Sequence, residues 1–343
     1  MGNFSFSSAL CPMGNSHQSQ RARRHADEYK GTWSRSNDYE WGYTRDTGPE
    51  NWWVHYPSAG GRKQSPIDIN PEVAEFDSDL VVAPLKLQYS RAREEKLMHN
   101  TGATCAVRIL NSESYATGGP LGSHKYTLRE FHFHWGDSNQ CGSEHTVRGK
   151  AYSAELHLVH WNSDAYNTFE EAQEKDDGLL VVAIFIQCCN SSNQGLEYLV
   201  QFLTDIPYKG QATELSSEFD LNHLLPVDTS KYWVYEGSMT TPPCHESVTW
   251  LIFYDPLKIT GDELSLFRTL NCYGVNEDRP ILDEHYGRIL KNYRPTQPLG
   301  SRVIRAAEPN FMTHKDFHQQ FHSQALFTTF PEIKGQFNRQ GIK

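Results

Sequence analysis

The sequence predicts a mainly β fold, and three features predict it. Between about residue 40 and residue 306, short alternating or wholly apolar runs rich in Val, Ile, Leu, Phe and Tyr recur at the length of a strand. Clusters of Gly, Pro, Asn and Asp break them at close intervals. No internal repeat or shift of composition divides the stretch, so it reads as one domain over 39–307. A chain of 343 residues allows that, because a β-rich domain reaches roughly 250 residues around a single core.

Taken in order, residues 1–38 are rich in Ser, Arg, Gln and Asn and show little periodicity. Such a segment buries too little apolar surface to offset its chain entropy, and it is expected to be a disordered lead. The start Met1-Gly2-Asn3-Phe4-Ser5-Phe6 hints at myristoylation with Cys11 as a second lipid site, but Phe6 stands where the pattern asks for Ser or Thr. Arg21, Arg23 and Arg24 read as solvated charges. Inside the domain, strands are expected over 80–87, 127–135, 154–161, 179–186 and 248–254, and short helices over 195–203 and 262–270. The extension 308–343 turns polar again, with His314, His318 and His322 on one helical stripe beside Phe317 and Phe321. That stripe reads as ordinary histidines of an exposed or docked helix before it reads as a metal site.

The formal net charge of −10 opposes the counterion release that holds proteins on nucleic acid or anionic lipid, so neither partner is expected. No run of 18 apolar residues is present to form a transmembrane segment, and residues 1–40 lack the apolar stretch of a signal peptide. The seven cysteines are odd in number, scattered and free of CxxC pairs, which suits reduced thiols and a cytoplasmic home.

The chemistry concentrates in Glu130-Phe131-His132-Phe133-His134-Trp135-Gly136. A strand period of two turns His132 and His134 to one face and Phe131, Phe133 and Trp135 to the other. The run Glu155-Leu156-His157-Leu158-Val159-His160-Trp161 alternates in the same way, so a neighbouring strand can add a third imidazole. Three neutral imidazoles with a fourth position open are the pattern of catalytic zinc, whereas structural zinc sites are closed and usually rich in Cys. His-x-His alone is a weak signal, because core histidines alternate by chance.

Context comes from a series of ordered motifs: Trp41-Gly42-Tyr43, Gly48-Pro49-Glu50, Gln64-Ser65-Pro66-Ile67-Asp68-Ile69, Gly118-Gly119-Pro120-Leu121, the two histidine runs, Gly142-Ser143-Glu144-His145-Thr146-Val147, Glu236-Gly237-Ser238-Met239-Thr240-Thr241-Pro242-Pro243 and Arg294-Pro295-Thr296-Gln297-Pro298-Leu299. In these the chain resembles the α-class carbonic anhydrases. The resemblance implies a large twisted, mostly antiparallel central sheet with Zn2+ at the bottom of a conical cleft. It also implies reversible hydration of carbon dioxide to bicarbonate and a proton. His132, His134 and His157 fall on the family's zinc ligands. Thr240 and Glu144 fall on the pair in which a threonine hydroxyl accepts a hydrogen bond from the attacking hydroxide and donates its own to a buried carboxylate.

The same resemblance places Val159, Val181, Met239, Thr241 and Trp250 around the substrate pocket, although Val159, Val181, Met239 and Trp250 taken alone read as plain core. Met239 replaces the usual Leu, a nearly volume-conserving change. A metal-bound His generally donates its other N–H to a carboxylate or carbonyl, which suits Glu155 for His157 and Glu130 for His132. Most active members carry Gln at the position of Glu130, and the added negative charge is expected to make the metal-bound water less acidic. The position resembling the family's histidine proton shuttle is Ala103, or Ser114 in a second register, so no imidazole stands there and slow, buffer-dependent turnover is expected.

Glu130, the run Tyr232 to Ser238, Pro243-Cys244 and the stretch Arg294 to Ala307 resemble the cytosolic carbonic-anhydrase-related branch, whose vertebrate member is the eighth isoform. That branch lost a zinc-ligand histidine at the position where His132 stands here, and it serves as a binding protein. An intracellular binding module is therefore the alternative reading, with the extensions or a surface open to a protein partner. Secreted members tie a cysteine matching Cys244 to one where this chain has Ala59, so that disulfide cannot form.

Overall fold

Phe131, Phe133 and Trp135 lie on one face of a strand whose other face carries His132 and His134, and this division runs through the whole sheet. The computed structural model describes residues 40–90 and 94–308. The expected lead, the lipid sites at Gly2 and Cys11 and the stripe His314, His318 and His322 lie outside the described residues. Among those described, a thirteen-stranded sheet runs in the order Ala212–Leu215, Glu95–Asn100, Cys105–Leu110, Tyr126–Trp135, Ala154–Asn162, Leu179–Cys188, Val248–Phe253, Tyr232–Gly237, Arg305–Ala306 and Glu75–Phe76, with three short strands branching from that path. The strands are mostly antiparallel. Leu179–Cys188 pairs in parallel with Val248–Phe253 and Leu257–Ile259, and Arg305–Ala306 pairs in parallel with Glu75–Phe76.

Residues paired across a sheet point the same way. One such row is His99, Ala106, His132, His157 and Ala183, and the next is Leu97, Arg108, Glu130, Val159, Val181 and Trp250. The opposite face carries Met98, Val107, Phe131, Phe133, Leu156, Leu158, Val182, Ile184 and Leu251, which belong to the main hydrophobic core. The helices Gln194–Val200 and Gly261–Phe267 contribute to that core through Leu196, Leu199, Leu264 and Phe267. The second helix begins with a capping box, in which the Thr260 hydroxyl accepts from the Glu263 amide and the Glu263 carboxylate accepts from the Thr260 amide. Phe267 sets its ring 5.1 Å from Phe133 and 5.2 Å from Trp135, so the strand that carries two of the histidines is braced from behind.

The expected strands over 127–135, 154–161, 179–186 and 248–254 form, and the two expected helices begin within a residue of their predicted starts. The strand expected over 80–87 does not. Its first part is the helical turn Asp79–Val82, and only Lys86–Gln88 is extended. Val81 and Val82 are exposed and Pro84 interrupts, so the apolar run never lies on a buried sheet face. The hairpin of Glu95–Asn100 with Cys105–Leu110 has no counterpart in the sequence reading. Polar residues Lys96, His99 and Arg108 break its apolar pattern, because the face that bears His99 and Arg108 is the one that carries the histidine cluster.

A further departure from simple alternation is a bulge. Val159 pairs with Glu130, but His160 pairs with Leu128, so Arg129 is the extra residue. The bulge lets Tyr126 and Leu128 enter the core together with Phe131 and Phe133 while Glu130 stays on the histidine face. On the sheet's flank Trp52, Ala59 and Cys244 form a small buried cluster against Trp41, Tyr43 and Tyr56, and Cys244 is a free thiol beside Ala59. No helix among the described residues is long and apolar enough to cross a membrane.

Candidate metal centre

His132 and His157 are direct cross-strand partners, and His134 lies one pleat further along the strand of His132. The three ring centroids are 5.1, 5.2 and 4.6 Å apart, and one nitrogen from each ring lies within 4.8 Å of the others. The remaining nitrogens are turned to acceptors. His134 Nδ1 is 2.7 Å from the Asn292 carbonyl oxygen, His157 Nε2 is 2.7 Å from Glu155 Oε1, and His132 Nδ1 is 3.6 Å from Glu130 Oε1. Donation by His134 and His157 through those atoms leaves Nε2 of His134 and Nδ1 of His157 as bare lone pairs, and a nitrogen of His132 meets them. His134 Nε2 is buried without a hydrogen-bond partner, a costly state that a metal ion would relieve. Burial drives the His157 imidazole down to about 4 and that of His134 well below its ordinary value. Both are therefore neutral at pH 7, the form that binds a metal. Three imidazole nitrogens at this spacing fit the ligand set of a four-coordinate ion.

Glu144 closes the base of the cluster. Its Oε1 accepts from the Arg294 amide at 2.8 Å, and its Oε2 lies 3.4 Å from His134 Nε2 and 3.9 Å from His157 Nδ1. Burial pushes the Glu144 carboxyl well above its ordinary range, while the Arg294 amide and the Thr240 hydroxyl favour the anion. A cation held by the adjoining imidazoles would favour it further. Thr240 is buried beside the cluster on the loop that follows Tyr232–Gly237.

Behind His157 the hydrogen bonds continue. Glu155 Oε1 is 2.7 Å from His145 Nδ1, and Oε2 accepts from the amides of Glu144 and His145 at 2.9 and 2.8 Å. Burial opposes the Glu155 anion, yet His145 and His157 together hold it well below the usual carboxylate range. His145 Nε2 then meets the Tyr235 hydroxyl at 2.7 Å, which donates to Ser65 Oγ at 2.8 Å. His145, Glu155 and His157 also crowd together, but their 2.7 Å contacts are satisfied hydrogen bonds that aim His157, not a second metal site.

The family model for eukaryotic-type carbonic anhydrase matches residues 47–308. Carbonic anhydrase 1 of Monodelphis domestica is 39% identical over 270 residues, which cover 78% of this chain and 97% of that protein. The human carbonic anhydrase-related protein is 42% identical over 270 residues, covering 78% of this chain and 90% of its own length. The chain belongs to the carbonic anhydrase family.

In this chain the row Val159, Val181 and Trp250 is continuous across three strands on the histidine face, and each of the three is buried. The Trp250 ring lies 4.9 Å from that of His157 and donates its N–H to the Ser238 carbonyl at 3.0 Å. Met239 is buried and Thr241 half-buried on the loop of Thr240. Ala103 sits in the turn between Glu95–Asn100 and Cys105–Leu110, where its carbonyl accepts from Asn292 Nδ2 at 3.0 Å. Ser114 is fully buried, and its hydroxyl accepts from the Ser90 amide.

Four residues around the histidine cluster escaped sequence reasoning. Asn292 holds His134 with its backbone carbonyl and the backbone of the same strand with its side chain, yet nothing in its local sequence singles it out. His145 and Tyr235 lay inside recognised motifs without an assigned task. Arg108, with its Nε 3.7 Å from Glu130 Oε2, becomes visible only through strand register. Burial opposes the Glu130 anion, but His132, Arg108 and His99 outweigh it and bring the carboxyl down to about 2.

Proposed function

We propose that this chain is a zinc-dependent carbonic anhydrase that reversibly hydrates carbon dioxide to bicarbonate and a proton. The observation that carries the reading is the convergence of three uncommitted imidazole nitrogens within 4.8 Å, next to a buried carboxyl. His132, His134 and His157 would hold the ion, and Zn2+ would supply the Lewis acidity that makes water ionise near neutral pH. Glu155 and the Asn292 carbonyl fix the tautomers of His157 and His134 so that the ligating nitrogens face inward.

Thr240 orients the nucleophile. When its hydroxyl donates to Glu144, the remaining lone pair accepts only from an oxygen that still carries a hydrogen, which selects and aims the attacking group. Val159, Val181, Met239 and Trp250 form an apolar wall against which a small uncharged substrate rests, and Thr241 stands beside it. Ala103 cannot relay the proton that each turnover releases, so export falls to buffer and turnover is slow. Free thiols at the described cysteines, Cys244 opposite Ala59 among them, support a cytoplasmic home.

Likeness to the carbonic anhydrase-related protein, together with Glu130 and Ala103, supports the alternative of a binding module with little or no turnover. Zinc stoichiometry and carbon dioxide hydration measured on the same preparation separate the two. One zinc per chain and buffer-dependent hydration are expected, with both lost in His157→Ala; one zinc without hydration favours the module.

A further inference from the structure

We propose that Arg108 is a positioning residue of the metal centre, whose guanidinium cancels the charge of Glu130 so that the carboxylate beside His132 acts on the ion as a neutral acceptor would. This rests on the zinc reading above. Glu130 is paired across the sheet with Arg108 on one side and Val159 on the other, and all three point to the histidine face. Glu130 Oε2 lies 3.7 Å from Arg108 Nε and Oε1 lies 3.6 Å from His132 Nδ1, so one carboxylate spans guanidinium and ligand. The three side chains are 6, 12 and 12% exposed, too little for solvent ions to screen them. A buried carboxylate without a partner is unfavourable, and the residue opposite it in the neighbouring strand is the cation that offsets it. The bulge at Arg129 preserves this facing, since alternation without it would turn Tyr126 and Leu128 away from the core. The negative charge that sequence alone suggested for the centre is thus half of a neutral pair.

The test is zinc affinity of the metal-stripped full-length chain, read by competition with a chromophoric chelator at fixed pH and salt. Glu130→Gln removes the acceptor's charge and leaves the Arg108 cation facing the ion, and a loss of about 10–100-fold is expected. Arg108→Met/Glu130→Gln removes both charges and should return to within about threefold of the parent. Arg108→Lys keeps the charge and should also bind as the parent does. A double variant as weak as Glu130→Gln alone overturns the proposal, and Arg108→Gln/Glu130→Gln gives the same comparison should the Met form not fold. A parent chain that takes up no zinc overturns the zinc reading and this inference with it. Failed rescue in a chain that binds zinc normally overturns this inference alone.

Discussion

Glu144 commits one oxygen to the Arg294 amide and turns the other toward His134, so its acceptor capacity is directed at the reaction side of the cluster. The Thr240 hydroxyl favours the Glu144 anion, and in the proposed reaction that contact fixes which way a hydrogen points. Thr240→Ala is therefore expected to lower carbon dioxide hydration by about a hundredfold while leaving zinc stoichiometry at one. Stopped-flow hydration alongside metal analysis checks it, and unchanged turnover would remove Thr240 from the mechanism. At this scale the sequence was most readable, because His132, His134 and His157 alternate in strands with apolar partners. Arg108 and Asn292 were unreadable for the opposite reason: their importance depends on which strand or loop comes to lie beside them.

Asn292 links elements that are far apart in the chain. Its Nδ2 donates to the carbonyls of Phe133 and Ala103, both at 3.0 Å, and its Oδ1 accepts from the Trp135 amide at 2.7 Å. The side chain thus fastens the strand Tyr126–Trp135 to the turn that holds Ala103. Asn292→Ala takes these hydrogen bonds from the Trp135 amide and the Ala103 carbonyl, while the Phe133 carbonyl keeps the Thr104 hydroxyl, and a loss of about 2–4 kcal/mol in urea unfolding is expected, with weaker zinc binding. A loss below the error of the measurement would show that water replaces the clamp. Elements were legible where one face is apolar throughout, as in Ala154–Asn162. They were illegible where the histidine face intrudes, as in Glu95–Asn100, and where exposed valines imitate a strand, as at Val81 and Val82. The bulge at Arg129 has no local signature, since strict alternation fits the histidine half of that strand.

Over the whole molecule the sheet separates an apolar face from a face that carries imidazoles and carboxylates, and histidines become buried on both. His160 sits on the core side, stacked on Tyr89 with Nε2 3.0 Å from its hydroxyl, and burial lowers its imidazole to about 4. Between that value and the unfolded value near 6.5 the unfolded chain binds the extra proton, so stability rises with pH through this window and is lost as pH falls. The contribution is about 1.4 kcal/mol per pH unit. Urea unfolding from pH 4.5 to pH 7 should show a slope shallower by about one proton in His160→Gln, and an unchanged slope would contradict the assignment. The central claim is that His132, His134 and His157 grip one ion and leave a corner open. X-ray absorption on the zinc-loaded chain tests it most directly. Three imidazole nitrogens and one oxygen around each zinc are predicted, at roughly 2.0–2.1 Å for the nitrogens. A shell containing sulfur, or fewer than three imidazoles, would contradict it.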